Sequence, residues 1–269
     1  MAETSWFTPY RAVLAARVRA QRAYRAGFAL DLASSLLVGL VELAEVWIIF
    51  HNVRVLGGLD FHAILLVFGL SNVAFSVGDL LVGHLDTLPT YIRAGTLEAF
   101  YLRPLPVLAQ LMTSEISLRR LTRIGVAAVC LGFGLALNDI GWSAANVALL
   151  VITVVFGAAI FAGLFVCAAS LQFFLVNGAE LTNSFTYGGS YAASQPASVF
   201  PTPLKLVFGY LVPVAFTAYL PTLAVLGLPG PAGLPAGLAW FTPVAAAWVW
   251  ALAAVLWRCG IKHYQGGGG

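Results

Sequence analysis

From Ala145 to Phe174 the chain runs without a single charged residue. A helix needs roughly 20 mainly apolar residues to cross the hydrocarbon core of a bilayer. This run is longer than one perpendicular crossing requires, so it is expected to tilt or project beyond the membrane. Five other stretches qualify as crossings: Gly27 to Phe50, Phe61 to Gly83, Leu121 to Leu137, Leu204 to Leu226 and Leu238 to Trp257. Composition agrees. Of the 269 residues, 60% are hydrophobic and 9% charged, where soluble domains carry about 25% charged residues. A soluble core of this size cannot hide so much apolar surface, whereas lipid solvates it directly. The expected fold is therefore all-α, a polytopic membrane protein with six transmembrane helices. The first 26 residues hold five arginines and no long apolar block, so the first apolar run is read as an anchor and not as a cleaved leader.

Lys and Arg collect on the cytoplasmic side of short loops. Arg11, Arg17, Arg19, Arg22 and Arg25 precede the first span, and Arg93, Arg103, Arg119, Arg120 and Arg123 lie between the second and third. Lys205 precedes the fifth span, and Arg258 and Lys262 follow the sixth. Only Arg54 falls on the opposite side, leaving 13 of the 14 basic residues on one face. Both termini are thus expected in the cytoplasm. The chain divides into a basic N-terminal helix (1–26), a membrane domain (27–264) with a cytoplasmic loop (85–123), and a glycine tail (265–269) that enters no argument. Thr8-Pro9 marks the start of the N-terminal helix, with a capping hydroxyl and proline at the first helical position. That helix suits anionic lipid or a partner protein.

The outer connections are short and the inner ones long and polar, so a partner is expected from the cytoplasm. The stretch Leu85–Arg123 repeats apolar residues (Leu88, Tyr91, Ile92, Leu97, Phe100, Tyr101) that need a surface to cover. Asp86 or Thr87 is expected to cap a short helix ending at Gly95. Arg103-Pro104-Leu105-Pro106 then forces an extended break, since residues before proline avoid helical angles. A further helix from Val107 should lead through Glu115, Arg119 and Arg120 into the third span.

The run Ala94-Gly95-Thr96-Leu97-Glu98-Ala99-Phe100-Tyr101-Leu102-Arg103-Pro104-Leu105-Pro106, followed by Ser117-Leu118-Arg119-Arg120-Leu121, resembles the cytoplasmic loop of bacterial ABC-2-type permeases. More narrowly, it resembles the daunorubicin-resistance-like subfamily. Phe185-Thr186-Tyr187-Gly188-Gly189, Val212-Pro213-Val214-Ala215-Phe216 and the ending Trp257-Arg258-Cys259-Gly260-Ile261-Lys262-His263-Tyr264 agree with it; Ser194-Gln195-Pro196 departs, lacking an aromatic before the proline. The resemblance implies a transmembrane subunit of an ATP-driven exporter in the bacterial inner membrane. It would pair with a second permease, the same or a related chain, and with two copies of a separate ABC ATPase that binds ATP and Mg. The implied coupling surface covers Asp86, Tyr91, Arg93, Thr96, Leu97, Glu98, Arg103, Pro104 and Pro106. The implied substrate is a hydrophobic or amphiphilic drug, lipid or glycolipid.

Charges inside spans are costly and so are functional candidates. Asp31 and Asp79, near inner ends, suit anchoring. Glu42 and Glu45 stand three apart, on one face of the first span. They either face the substrate pathway, together with Ser71 and Asn72 of the second span, or pair with His51, Arg54 or those same two residues. No G-x-x-x-x-G-K-[ST] phosphate loop occurs, so ATP hydrolysis and its cofactors are assigned to a partner, and no catalytic or metal residue is expected. Cys130, Cys167 and Cys259 show no ligand spacing. Gly69-Leu70-Ser71 offers only a superficial protease serine. A proton-coupled secondary transporter using Glu42 and Glu45 is the alternative, although the repeated halves expected of that class are absent. Nothing points to nucleic acid.

Overall fold

The computed structural model describes residues 25–102, 104–114, 119–175 and 179–264. Among them the chain is helical. α1 (Arg25–Asn52) and α2 (Phe61–Val82) are joined by a tight turn at Gly57 and Gly58, both at positive φ, where Leu56 and Leu59 bridge. Asp60 starts α2 by accepting a 2.9 Å hydrogen bond from the Ala63 amide, a standard N-cap. A 3₁₀ turn (Gly83–Thr87) leads into three short helices, α3 (Leu88–Arg93), α4 (Glu98–Tyr101) and α5 (Val107–Ser114). Then come α6 (Arg119–Leu137), α7 (Ala144–Leu171, capped by Ser143) and α8 (Ala179–Ala193). α9 (Thr202–Leu206) and α10 (Tyr219–Val225) flank an irregular stretch, and α11 (Thr242–His263) closes the fold.

Among the described residues, four helical segments are long and apolar enough to cross a membrane: 61–93, 120–137, 144–171 and 236–263. Their burial separates centre from periphery. Within the apolar window of the first of these, 83% is buried, against 17% for the α6 segment and 33% for the α11 segment. α2 is the spine, packed on α6 and α7, while α7 packs in turn on α11. Small residues allow that closeness. A Cβ on Gly69 would lie 2.5 Å from the Leu131 Cα, and one on Gly134 would lie 2.7 Å from the Leu66 Cα. Phe75, Phe161 and Phe165 fill the centre, Phe75 and Phe161 meeting edge-on at 5.3 Å. α1 is peripheral and rests mainly on α6. It turns Leu37, Leu40, Val41, Trp47 and Ile48 outward, the apolar surface that hydrocarbon solvates.

The fifth expected span is not one helix. From Leu204 to Leu226 the chain passes from α9 through a π turn (Val207–Leu211), a break at Val212-Pro213 and a 3₁₀ turn (Val214–Thr217) to α10. Pro213 removes a backbone donor and clashes with the preceding turn, which ends the helix. Polar side chains from elsewhere then cap the freed carbonyls: Trp248 Nε1 donates to Leu211 O at 3.4 Å, and Thr242 Oγ1 to Phe216 O at 3.4 Å. The preceding helix α8, in a stretch that hydropathy leaves unassigned, has 15 residues, short of a full crossing. The expected N-terminal helix lies outside the described residues.

Candidate functional site

Two assemblies stand out, a polar cavity and the folded loop beneath it. The cavity, about 190 Å³, opens where α1, α2, α6 and α8 meet. α1 supplies Glu42 and Glu45, whose spacing puts both on its lining face. α2 supplies Asn72 and the rings of Phe68 and Phe75; α6 supplies Arg123; α8 supplies Tyr187 and Tyr191. Tyr191 donates its hydroxyl hydrogen to Glu45 Oε1. Arg123 lies within electrostatic reach of Glu42. It also approaches Asp79 Oδ2 at 3.7 Å and covers the Phe75 ring at 5.8 Å. Asp79 is buried and meets Arg120 Nε at 3.2 Å. The guanidiniums of α6 are thus among its partners, which fits the anchoring role expected of it.

Of the four residues expected on a substrate pathway, three meet here: Glu42, Glu45 and Asn72. Ser71 is fully buried in α2, does not line the cavity, and its hydroxyl finds no hydrogen-bond partner among the described residues. The partners of the glutamates are Arg123 and Tyr191 in place of His51 and Arg54; His51 instead lies beside Trp47, with ring centroids 5.4 Å apart and planes tilted by 32°. Sequence reasoning missed Tyr187 and Tyr191 because α8 had no hydropathy signal. The resemblance did mark Tyr187, in the run Phe185-Thr186-Tyr187-Gly188-Gly189.

The loop after α2 is folded by its own polar contacts. His84 Nε2 and Tyr91 Oη lie 3.0 Å apart, and Thr87 Oγ1 donates to His84 O at 2.7 Å. Neither Asp86 nor Thr87 caps α3 through its side chain, contrary to the capping expected from sequence. The Asp86 carboxylate is taken instead by Tyr187, whose hydroxyl donates to Oδ2 at 3.1 Å. Gly95 ends α3 at φ +66°, as the sequence suggests. The backbone of Tyr91 then accepts from the amides of Thr96 and Leu97, and the Tyr91 ring meets Phe100 edge-on at 5.5 Å. Gln110 clamps the far side, donating to Phe100 O at 2.9 Å and Leu105 O at 2.7 Å. Tyr101 stacks on Tyr264 beyond α11, with ring planes 2° apart.

This folding sorts the expected coupling residues. Arg93, Thr96, Glu98, Pro104 and Pro106 are exposed. Tyr91 and Asp86 are half-buried and engaged inside the protein. Leu97 is fully buried, so it supports the loop and offers no surface to a partner. Arg103 lies outside the described residues. Among the described residues no cluster of three or more His, Cys, Asp or Glu could hold a metal ion.

No curated protein and no solved structure matches the chain. The family model described as ABC-2 family transporter protein matches residues 36–268, a stretch that takes in the cavity, the folded loop and α11. A buried helical spine, apolar outer faces and a loop knitted to α8 and α11 are thus the parts of a membrane transport component, and the chain belongs to the ABC-2 transporter family.

Proposed function

We propose that this chain is the permease subunit of an ATP-driven exporter for hydrophobic or amphiphilic molecules. It acts with a second permease, identical or related, and with two copies of a separate ABC ATPase that binds ATP and Mg. Both termini and the loop 85–123 face the cytoplasm of a bacterial inner membrane, where the ATPase docks. The observation carrying this reading is the family match over residues 36–268. The basic-residue partition supports the orientation, and the narrower daunorubicin-resistance-like placement rests on the loop motif alone. The family does not favour the proton-coupled alternative, and Glu42, Glu45 and Asn72 are assigned to the substrate path instead.

Docking falls to the exposed loop residues Arg93, Thr96, Glu98, Pro104 and Pro106, with Arg103. Rigid-body motion of the ATPase pair would reach α2 and α6 through the helices between them. The test is affinity purification of the full chain from its native membrane, with ATPase activity measured in the eluate. Arg93→Glu and Glu98→Lys are expected to lower ATPase recovery on the order of tenfold, the scale of a reversed interfacial charge. Recovery of no ATPase with the native chain, or full recovery with both variants, overturns the reading.

A further inference from the structure

The helix faces that meet at the cavity carry donors and acceptors side by side. On α8, Tyr187, Ser190, Tyr191 and Ser194 stand at helical spacing on one face, and all four line the cavity. Ser194 donates to Ser190 O at 3.0 Å, so it offers the cavity its oxygen lone pairs. From α2 comes Asn72, only 9% exposed, whose Nδ2 donates to Phe68 O at 3.0 Å. A carbonyl can only accept, so the nitrogen faces it and the amide oxygen is left to accept. The Ser190 hydroxyl and the Gln195 amide can each donate and accept, and neither enters a hydrogen bond among the described residues. Arg123 approaches Asp79 through Nη1 at 3.7 Å. A guanidinium carries several N–H donors, which leaves donors for the cavity that Arg123 lines.

That mixture selects among ligand chemistries. An ammonium only donates, and would leave Arg123 and the Gln195 amide nitrogen unanswered. A carboxylate or phosphate only accepts, and would sit beside Glu42 and Glu45. A hydroxyl does both, and several hydroxyls on one small ring answer carboxylate, amide, guanidinium and serine together. Polar groups that a ligand buries without answering are costly, so the ligand matching most of them is favoured. The rings of Phe68 and Phe75 add apolar walls, against which the C–H face of a saturated ring packs. A volume of about 190 Å³ suits one such ring and not a whole amphiphile. An adjoining cleft between α1 and α6 shares Glu42, Phe68, Asn72 and Arg123, and adds Val38, Val126 and Ala127. Val38 is exposed on the outer face of α1, so this apolar exit leads from the cavity towards lipid.

We propose that this cavity binds the polyhydroxyl, sugar-like headgroup of an amphiphile. Its hydroxyls donate to Glu42 and the Asn72 amide oxygen and accept from Arg123 and Gln195, and its alkyl chain leaves between α1 and α6. The proposal rests on the reading of the cavity as part of the substrate path, and names the class of substrate. The probes are hexyl glucoside, 1-hexanol, hexylammonium, hexanoate and glucose. Each is titrated calorimetrically at pH 7 into the full chain in phosphatidylcholine nanodiscs, with empty nanodiscs subtracted. Hexyl glucoside is expected to bind about tenfold more tightly than hexanol, the scale of one or two net hydrogen bonds, and more tightly than either ion. Glucose, the head without the chain, is expected to bind about tenfold more weakly than the glucoside, or weaker still. Asn72→Leu and Gln195→Leu each lower the glucoside-to-hexanol ratio severalfold, in variants whose thermal unfolding matches that of the native chain. Ser190→Ala, the milder change, carries the same test should a leucine variant not fold. A native ratio near one means that the cavity holds only water, and overturns the proposal. So does tighter binding of either ion, glucose as tight as the glucoside, or a ratio that the folded variants leave untouched. Binding is read on the chain alone, so these outcomes are separate from the exporter reading, which is decided by ATPase recovery with the native chain.

Discussion

Leu97 is completely buried although Thr96 and Glu98, its neighbours on either side, are exposed. Its amide reaches back to Tyr91 O at 3.3 Å, which turns the side chain under the loop. Leu97→Ala is therefore expected to destabilise the chain by about 2–5 kcal/mol, the range for emptying a buried leucine site. Thermal unfolding in detergent would register it, and a change under about 0.5 kcal/mol, the size of an ordinary surface substitution, would contradict the burial. Leu97→Arg would bury a charge with no partner, so a loss of coupling in that variant would report misfolding and not a lost contact. The sequence marks the loop by its motif, but a four-residue helix such as α4 has no period from which to read which side chain points inward. Glu42 and Glu45 were easier, because a spacing of three in a long helix fixes a shared face. Their partners were not legible: Tyr191 lies 146 positions beyond Glu45, and no local pattern encodes that meeting.

Helix–helix contacts carry the fold at the next scale, and the α2–α6 pair is the tightest. Gly69 meets the Leu131 backbone and Gly134 meets the Leu66 backbone, so each helix offers a gap where the other is closest. In a bilayer, close approach of small residues supplies the van der Waals contact that drives helices together. Gly69→Ala would put its Cβ 2.5 Å from a backbone atom that cannot rotate away. The expected cost is about 1–3 kcal/mol, visible as a lowered unfolding temperature. Gly188→Ala, inside α8 where a Cβ would meet nothing within 4 Å, is the control and should not lower stability, since alanine favours the helix; equal stability of the two variants would refute the contact. Four of the six expected spans coincide with helices long and apolar enough to cross a membrane, and the first falls on the long helix α1, because hydropathy reports composition over a window. The fifth does not, since a window average is blind to where Pro213 stops the hydrogen-bond ladder. The outside donors, Trp248 and Thr242, come from the next helix along, and their part in the break depends on the tertiary fold.

Across the whole molecule, one side chain touches both the cavity and the loop. Tyr187 lines the cavity, packs against Phe75 at 5.6 Å, and donates its hydroxyl hydrogen to Asp86 in the 3₁₀ turn below α2. The same turn carries His84, which holds Tyr91 at the base of the exposed residues proposed to dock the ATPase. A displacement of the loop by a docked ATPase must therefore move α8, stretch the Tyr187–Asp86 bond or break it. A packed core has discrete arrangements and not a continuum, so the bond can favour the arrangement in which loop and cavity wall move together. Tyr187→Phe removes that bond while keeping the ring contacts with Phe75 and Phe165. Recovery of the ATPase should be unchanged, because the residues proposed to dock it are untouched. The number of substrate molecules exported per ATP hydrolysed should fall about tenfold, the scale of a hydrogen bond to a charged group. Measuring transport and hydrolysis together in proteoliposomes decides the point: an unchanged ratio means that the loop reaches the cavity by another route, such as α2, which runs from the 3₁₀ turn to the cavity wall.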